Sequence, residues 1–427
     1  MKRKISIIGC LLAVILAASC SSRKPEAQVP PEKVMIFISG GFNNLSSWLL
    51  QDIQDMKQGY IPNQNDKNIL LIIGKHATRG YATPTPPCLV RLYRANGVVV
   101  ADTLKQYPGD ASLCDKSTLR GIFDDIREAY PVDHYGLALS SHATGWLPMG
   151  YYANPDPSEA ALDDELYWAA PAALGLRLRP SMLDMEEPLL TKSIMQEKVG
   201  TTGSVEMEIK DFADAIPMHL DYLMLDCCLM GCVEVAYALR EKTDVIGFSQ
   251  AEVMADGFDY TLLAQRLLLA ENPETRRVCE DYIAQYEAAS GAARSATISL
   301  VDCRQLDALA AVCQPLFEKY RDAIKALKIS EVQGFGAVKH WFFDLEDVLV
   351  KAGIDGQETA ALSDALERCV LYKGTTGQYY SDSDHRVHPV TAFCGLSMYM
   401  PSSGSARLSE FYQTLDWNQA TKLIQSY

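Results

Sequence analysis

The sequence predicts an α/β protein with a mostly parallel sheet sandwiched by helices. Three observations lead there. Short apolar, β-rich runs recur at Val34–Ser39, Asn68–Ile73, Tyr135–Leu139, Tyr222–Leu225 and Val245–Phe248. Stretches with helical spacing of apolar residues lie between several of them, so strand and helix alternate as in βαβ units. Finally, 427 residues that are 48% hydrophobic can bury a sizeable core.

Taken from the N-terminus, Lys2, Arg3 and Lys4 form a positive segment before an apolar stretch, Ile5 to Leu16, too short for a comfortable membrane span. Ala17-Ala18-Ser19-Cys20 follows and resembles a bacterial lipobox, in which small side chains fit the signal peptidase and the thiol takes the lipid. Residues 1–19 are read as a lipoprotein signal peptide and Cys20 as the lipidation site. Residues 20–32, polar and Pro-rich, read as a flexible tether. The chain is therefore expected to be exported and lipid-anchored to a bacterial membrane, periplasmic or at the cell surface.

The first strand ends at Gly40-Gly41, and Asn43, Asn44 and Ser46 suit a helix start, with Leu49, Leu50 and Ile53 as the apolar positions up to about Met56. Leu89–Tyr93 and Val98–Ala101 read as a hairpin, and Ser117–Ala129 as a helix. The strand at Tyr222–Leu225 is followed by a helix expected from Leu229 to about Arg240. Helical spacing also marks Gly257–Leu269, Arg276–Ala289, Gln305–Lys328 and Gln357–Val370. A last β-like run covers Leu396–Met400. Periodicity dissolves over residues 147–204, which read as a long exposed insertion. The α/β unit thus spans 33–270 with that insertion, and a mixed helical and β region, 271–427, completes the fold.

The formal net charge of −15 argues against a nucleic-acid partner. An exported protein can hold disulfides, but spacing does not fix their pairing. No CxxC pair exists, which counts against a thiol redox protein. Cys228 and Cys232 lack the companion ligands of a zinc site, so no metal is expected there. In Ser381-Asp382-Ser383-Asp384-His385-Arg386-Val387-His388 a metal loop competes with a polar surface loop, and the surface loop is preferred.

Two strand ends carry chemistry. In Leu139-Ser140-Ser141-His142-Ala143-Thr144-Gly145-Trp146 a strand gives way to a His in a small-residue turn. In Leu225-Asp226-Cys227-Cys228-Leu229-Met230-Gly231 another strand ends in Asp-Cys-Cys. In open α/β sheets, sites gather beyond the carboxyl ends of the strands. A thiol at a helix start is biased toward thiolate, and an imidazole beside it can protonate a leaving amine. Small residues after the His leave backbone N–H groups open to an oxyanion. On these grounds Cys227 and Cys228 compete, since only one can face the cleft.

The stretch from Leu225 to Tyr237 resembles the nucleophile motif of the clostripain family of cysteine peptidases, in the caspase-like clan, where Asp-Ala-Cys-Leu-Met is usual. Ser140 to Trp146 resembles the family's Ser-x-His-Gly-x-Gly-Trp. Supporting matches are Asn43-Asn44-Leu45-Ser46, Glu206-Met207-Glu208-Ile209, Ala251-Glu252-Val253, Asp256-Gly257-Phe258 and Gly395 to Pro401. The resemblance implies a caspase-like catalytic domain, with Cys228 as nucleophile, His142 as general acid/base and the Ala143 N–H at the oxyanion. It implies cleavage after Arg or Lys in protein or peptide substrates, with Asp226 at the base of the specificity pocket. It also implies activation by self-cleavage between His142 and Cys228, with Arg177, Lys192, Lys198 and Lys210 as candidate sites. No cofactor is called for; calcium helps some members and stays open, although no EF-hand-like loop is present. A monomer is expected. Three departures stand out: Ala143 where Gly is usual, Cys227 where Ala is usual, and Phe248-Ser249-Gln250 along the expected pocket wall. The alternative is a catalytically weak or silent surface lipoprotein that binds peptides or glycans on the same scaffold. Trp146 is expected to shield the His side of the cleft and Glu234 to sit in a structural salt bridge.

Overall fold

A computed structural model describes residues 29–40, 42–76, 84–159, 194–199, 203–336 and 340–425. The signal peptide, Cys20, Arg177 and Lys192 lie outside them. In chain order the strands are β1 (Lys33–Ser39), β2 (Asn68–Gly74), β3 (Cys88–Ala95), β4 (Val98–Gln106), β5 (His134–Ser140), β6 (Ile194–Val199), β7 (Gly203–Met207), β8 (Tyr222–Asp226), β9 (Val245–Phe248), β10 (Thr297–Asp302), β11 (Phe343–Asp344), β12 (Val370–Thr375), β13 (Gln378–Ser381), β14 (Arg386–Pro389) and β15 (Ser397–Met398). The helices are α1 (Ser46–Gln58), α2 (Lys116–Ala129), α3 (Ile209–Ala215), α4 (Val233–Leu239), α5 (Tyr260–Ala264), α6 (Thr275–Glu287), α7 (Leu306–Ala326), α8 (Leu345–Lys351), α9 (Gly356–Cys369), α10 (Ala406–Tyr412) and α11 (Asp416–Thr421).

Nine strands form the main sheet in the order β12-β10-β9-β8-β5-β1-β2-β3-β4. The five central strands, β9 through β2, run parallel, and antiparallel strands close both edges. This bears out the α/β expectation, and its cause is visible in β1. Val34, Ile36 and Ile38 enter the core on one face while Met35 and Phe37 enter the core on the other. A strand buried on both faces must be apolar throughout, and parallel strands are of that kind. Leu119, Ile122, Phe123 and Ile126 of α2 pack on the first face, and α5 and α6 cover the second. Asp115 caps α2 by accepting the Thr118 N–H at 2.8 Å.

Four expectations need correction. The helix after β8 begins at Val233, not Leu229, because Leu229 adopts a left-handed φ of 59° and breaks the turn. The helix expected over Gly257–Leu269 starts only at Tyr260, capped by Asp259, and continues as a π turn over Gln265–Leu269. The insertion ends in an ordered hairpin: β6 pairs with β7, and Lys75 Nζ meets Glu197 Oε2 of β6 at 2.6 Å in a buried ion pair. The late β-like run is a strand only at Ser397–Met398. Seven strands have no counterpart in the sequence expectations, β6, β7, β10, β11, β12, β13 and β14; of these, β10 and β12 join the region after residue 270 to the main sheet. Among the described residues no helix is long and apolar enough to cross a membrane. The ten described cysteines are all free thiols.

Candidate active site

Strands β5 and β8 pair in parallel, with Ser140 opposite Asp226 as the last rung. His142 and Cys228 each stand two residues beyond that rung. Neighbouring strands lie about 4.8 Å apart, so the register delivers imidazole and thiol to the same level of the sheet's carboxyl edge. Both line one solvent-open cleft of about 1030 Å³.

The turn after β8 decides which cysteine faces that cleft. Leu229 N–H donates to Ala251 O at 3.0 Å and Gly231 N–H to Ser249 O at 2.6 Å, which clamps the left-handed turn against the loop after β9. Cys227 is thereby buried with its Sγ toward Leu139 O at 3.7 Å, and burial pushes its thiol well above the ordinary range. Cys228 stays half-buried, and its Sγ accepts the Val253 N–H at 3.3 Å. The helix-start argument for a favoured thiolate does not hold, because α4 begins five residues beyond Cys228. The Val253 N–H is the dipole that faces the sulfur instead.

His142 is only 5% exposed. Its Nε2 lies 2.5 Å from Asn44 Oδ1. With an amide oxygen as partner, Nε2 is the donor, and the lone pair of the neutral ring resides on Nδ1. Asn44 was legible in the sequence as part of a helix start and of a supporting family match, not as a partner of His142. Its neighbour Asn43 carries that local role, accepting the Leu45 N–H at 2.9 Å and donating to Gln196 O at 2.8 Å.

Asp226, 7% exposed, lines the same cleft. Its Oδ2 accepts from the Tyr260 hydroxyl at 2.6 Å and the Phe258 N–H at 3.2 Å. Its Oδ1 is buried with no hydrogen-bond partner among the described residues. Burial raises its carboxyl to about 6, against the pull of those two donors. Gly257 makes room for it: a Cβ there would lie 2.0 Å from Oδ2, and φ is +57°. Among the described residues the cleft lining holds four carboxylates, Asp52, Asp226, Glu252 and Asp382, and no Lys or Arg. Glu252 is held by the Ser381 hydroxyl at 2.8 Å and the Asp382 N–H at 2.9 Å. Asp52, which the sequence reading passed over, carries a signal: it lies three residues after Leu49 and four before Met56, on the buried stripe of α1.

Other expected residues fall elsewhere. Ala143 lines the cleft but has no exposed surface, and it pairs with Ile194 in an isolated antiparallel bridge. Gln250 turns away from the pocket wall, donating to Ser299 Oγ at 2.7 Å and Gly395 O at 2.8 Å. Trp146 does not shield the cleft. It is fully buried, with Tyr399 and Tyr412 each 5.0 Å away in edge contacts. Glu234 is in no salt bridge among the described residues; its Oε1 accepts the Tyr399 N–H at 2.9 Å and the Tyr412 hydroxyl at 2.7 Å. In the acidic loop His388 Nε2 pairs with Asp384 Oδ2 at 3.0 Å.

A sequence profile of the clostripain family matches residues 36–164 and 185–422. Clostripain of Hathewaya histolytica is 26% identical over 242 residues, 53% of this chain and 40% of that protein, so the match spans less than half the relative's length. Two solved structures share the fold. An inactive zymogen C11 protease from Parabacteroides distasonis has a TM-score of 0.71 at 26% identity, covering 92% of this chain and 98% of that one. A secreted C11 cysteine protease from Bacteroides thetaiotaomicron, in complex with an irreversible peptide inhibitor, has a TM-score of 0.71 at 23% identity, covering 93% and 100%. Profile, fold and the residues around the two strand ends agree, and the chain belongs to the clostripain family of cysteine peptidases.

Proposed function

We propose that the protein is a cysteine endopeptidase that cuts after Arg or Lys, with Cys228 as nucleophile, His142 as general acid/base and Asp226 as the acceptor for the substrate cation. The observation that carries this reading is the single cleft that holds all three, with an unpartnered, buried Asp226 oxygen in its lining. In the first step His142 takes the Cys228 proton, the sulfur attacks the carbonyl carbon and the carbonyl electron pair moves to oxygen. Collapse of that adduct breaks the C–N bond as His142 protonates the departing amine. Water then attacks the thioester, His142 receives its proton, and the acid product leaves with the thiol restored. Asn44 keeps the Nε2 proton in place so that Nδ1 performs these transfers. The Ala143 N–H is the oxyanion donor in this reading.

A lining that is acidic among the described residues favours a cationic side chain, and a buried carboxylate gives it a specific partner. For self-cleavage, Lys198 and Lys210 are poor sites. The first is paired within the β6–β7 hairpin and its N–H donates to Phe42 O at 2.7 Å; the second lies in α3. Arg177 and Lys192 are the preferred candidates. The lipobox-like segment supports export and a lipid anchor on Cys20 to a bacterial membrane.

A second reading, a scaffold that binds peptides without turnover, draws on Ala143, whose backbone is covered by β6. Fluorogenic peptides ending in Arg or Lys, with and without iodoacetamide pretreatment, separate the two. Thiol-sensitive hydrolysis is expected, and clean folded protein with no turnover would overturn the peptidase reading. Two fragments from the wild type and one intact chain from Cys228→Ala are expected by mass spectrometry; intact wild-type protein would remove the self-cleavage claim.

A further inference from the structure

We infer that Asp52 is a second carboxylate of the specificity pocket, and that together with Asp226 it makes a two-acid floor that favours arginine over lysine; this rests on the peptidase reading above.

The case begins with the acceptors. A guanidinium presents five N–H donors in a planar fork and is best met by two oxygens, whereas an ammonium is a compact point charge. Asp226 cannot supply a fork's worth of acceptors, because Oδ2 is already taken by the Tyr260 hydroxyl and the Phe258 N–H, which leaves only Oδ1 open. The next acceptor must come from another residue. Asp52 lines the same cleft and approaches from α1, opposite the strand that carries Asp226. The Ser140 side chain lowers both the Asp52 carboxyl and the Tyr260 hydroxyl, and Tyr260 donates to Asp226, so the two carboxylates have a common polar neighbourhood.

The second line is energetic. Asp52 is 6% exposed on a helical stripe otherwise made of Ser46, Leu49 and Met56. Neither Asp52 nor Asp226 forms an ion pair within the described residues. Among the described residues the charges that act most on Asp52 are Asp226 on β8, Asp55 on its own helix and Asp256 in the loop before α5, all of one sign, and the Tyr260 and Tyr286 hydroxyls also face it. A buried acid with no counter-ion destabilises a fold, and an Asn would meet Ser140 without that cost. The missing cation is what the residue before the scissile bond would bring. Burial first, and then the Asp226 charge, raise the Asp52 carboxyl to about 9. Near neutral pH the two acids therefore hold one proton between them. An arginine that engages both oxygens drives that proton to solvent; a lysine satisfied by Asp226 Oδ1 does not.

The test compares the full chain with Asp52→Asn on paired fluorogenic peptides that differ only in Arg or Lys before the scissile bond. The wild type is expected to prefer Arg. Asp52→Asn is expected to lower the Arg/Lys ratio of kcat/KM about tenfold or more, the worth of one charge-assisted hydrogen bond. An unchanged ratio in an active, folded variant overturns the inference and leaves the peptidase reading standing. A wild type that cleaves neither peptide removes both. If the variant does not fold, the wild type decides alone. KM for Arg divided by KM for Lys should fall from pH 6 to pH 8, by up to about tenfold per pH unit for one released proton, and a flat ratio overturns the inference.

Discussion

Replacing Asp226 by Asn separates the cost of the pocket from its use. Burial raises this carboxyl from 3.8 to about 6. Two pKa units correspond to about 3 kcal/mol at roughly 1.4 kcal/mol per unit. The group binds its proton more tightly in the folded state, so the cost is absent below pH 3.8, grows between 3.8 and 6, and is constant above 6. Asn carries no such charge. In a Cys228→Ala background, which prevents self-digestion, urea unfolding of Asp226→Asn and its parent should therefore diverge with pH. The variant should gain about 3 kcal/mol relative to its parent between pH 4 and pH 8. In the active background the same change leaves a substrate cation without its buried partner, which costs about 3–5 kcal/mol. At 1.36 kcal/mol per decade that is a fall in kcat/KM of about a hundredfold to several thousandfold for Arg and Lys peptides. Greater stability with lost activity is the expected pair of results. A stability gap that does not change with pH refutes the burial argument, and retained Arg and Lys cleavage refutes the pocket assignment.

Asn44→Ala removes the group that holds the His142 ring, and steady-state kinetics should record kcat lower by roughly ten- to a hundredfold with KM little changed; an unaltered kcat excludes the positioning role. Glu234, raised by burial from 4.5 to about 7, destabilises the fold increasingly between those values and not below 4.5. Glu234→Gln keeps an acceptor for Tyr399 and Tyr412, so its denaturation midpoint should overtake that of the parent as pH rises from 5 to 8. Lys75→Met strands Glu197 in the core, and equilibrium unfolding at pH 7 should register a loss of about 3–5 kcal/mol; a loss below about 1 kcal/mol would mean that the ion pair is not buried in solution.

The central strands were legible because burial on both faces leaves no room for polar alternation, as in β1 and β2. Strand β10 was not, although it is equally buried. Thr297, Ser299 and Asp302 interrupt its apolar residues, and only the folded structure supplies their partners: Thr297 meets Ser249, Ser299 donates to Gly395 O, and Asp302 receives the Arg304 side chain. The start of α4 was misplaced because nothing in Leu229 itself signals a positive φ; the loop after β9 imposes it through hydrogen bonds distant in sequence. His142 and the Cys227-Cys228 pair were legible from the ends of strands, where local pattern and position in the sheet coincide, whereas the choice of Cys228 and a role for Asp226 came only from the family resemblance. Asp52 reaches the cleft through the packing of α1, and Asn44, in the turn before it, reaches the His142 ring, contacts between residues far apart in the chain. For Asp52 the stripe formed by Leu49 and Met56 already contained the anomaly, an acid at a position where the helix is buried.

The contrast between two buried acids argues that the pocket exists to meet a cation. Glu197 is as deeply enclosed as Asp226, yet Lys75 neutralises it at 2.6 Å and the Leu113 N–H donates to its other oxygen at 2.6 Å. The fold thus has the means to compensate an interior carboxylate, and uses them where the acid serves the structure. At the carboxyl edge of β8 it does not: Asp226 keeps an oxygen without a partner, Asp52 adds a second acid, and the Gly257 backbone is bent to preserve the space between carboxylate and cleft. Evolution of stability alone would favour neutral residues at both positions. Their presence beside an imidazole and a thiol is accounted for, under the proposed function, if the compensating charge arrives with each substrate, so that binding relieves a cost which the free protein carries.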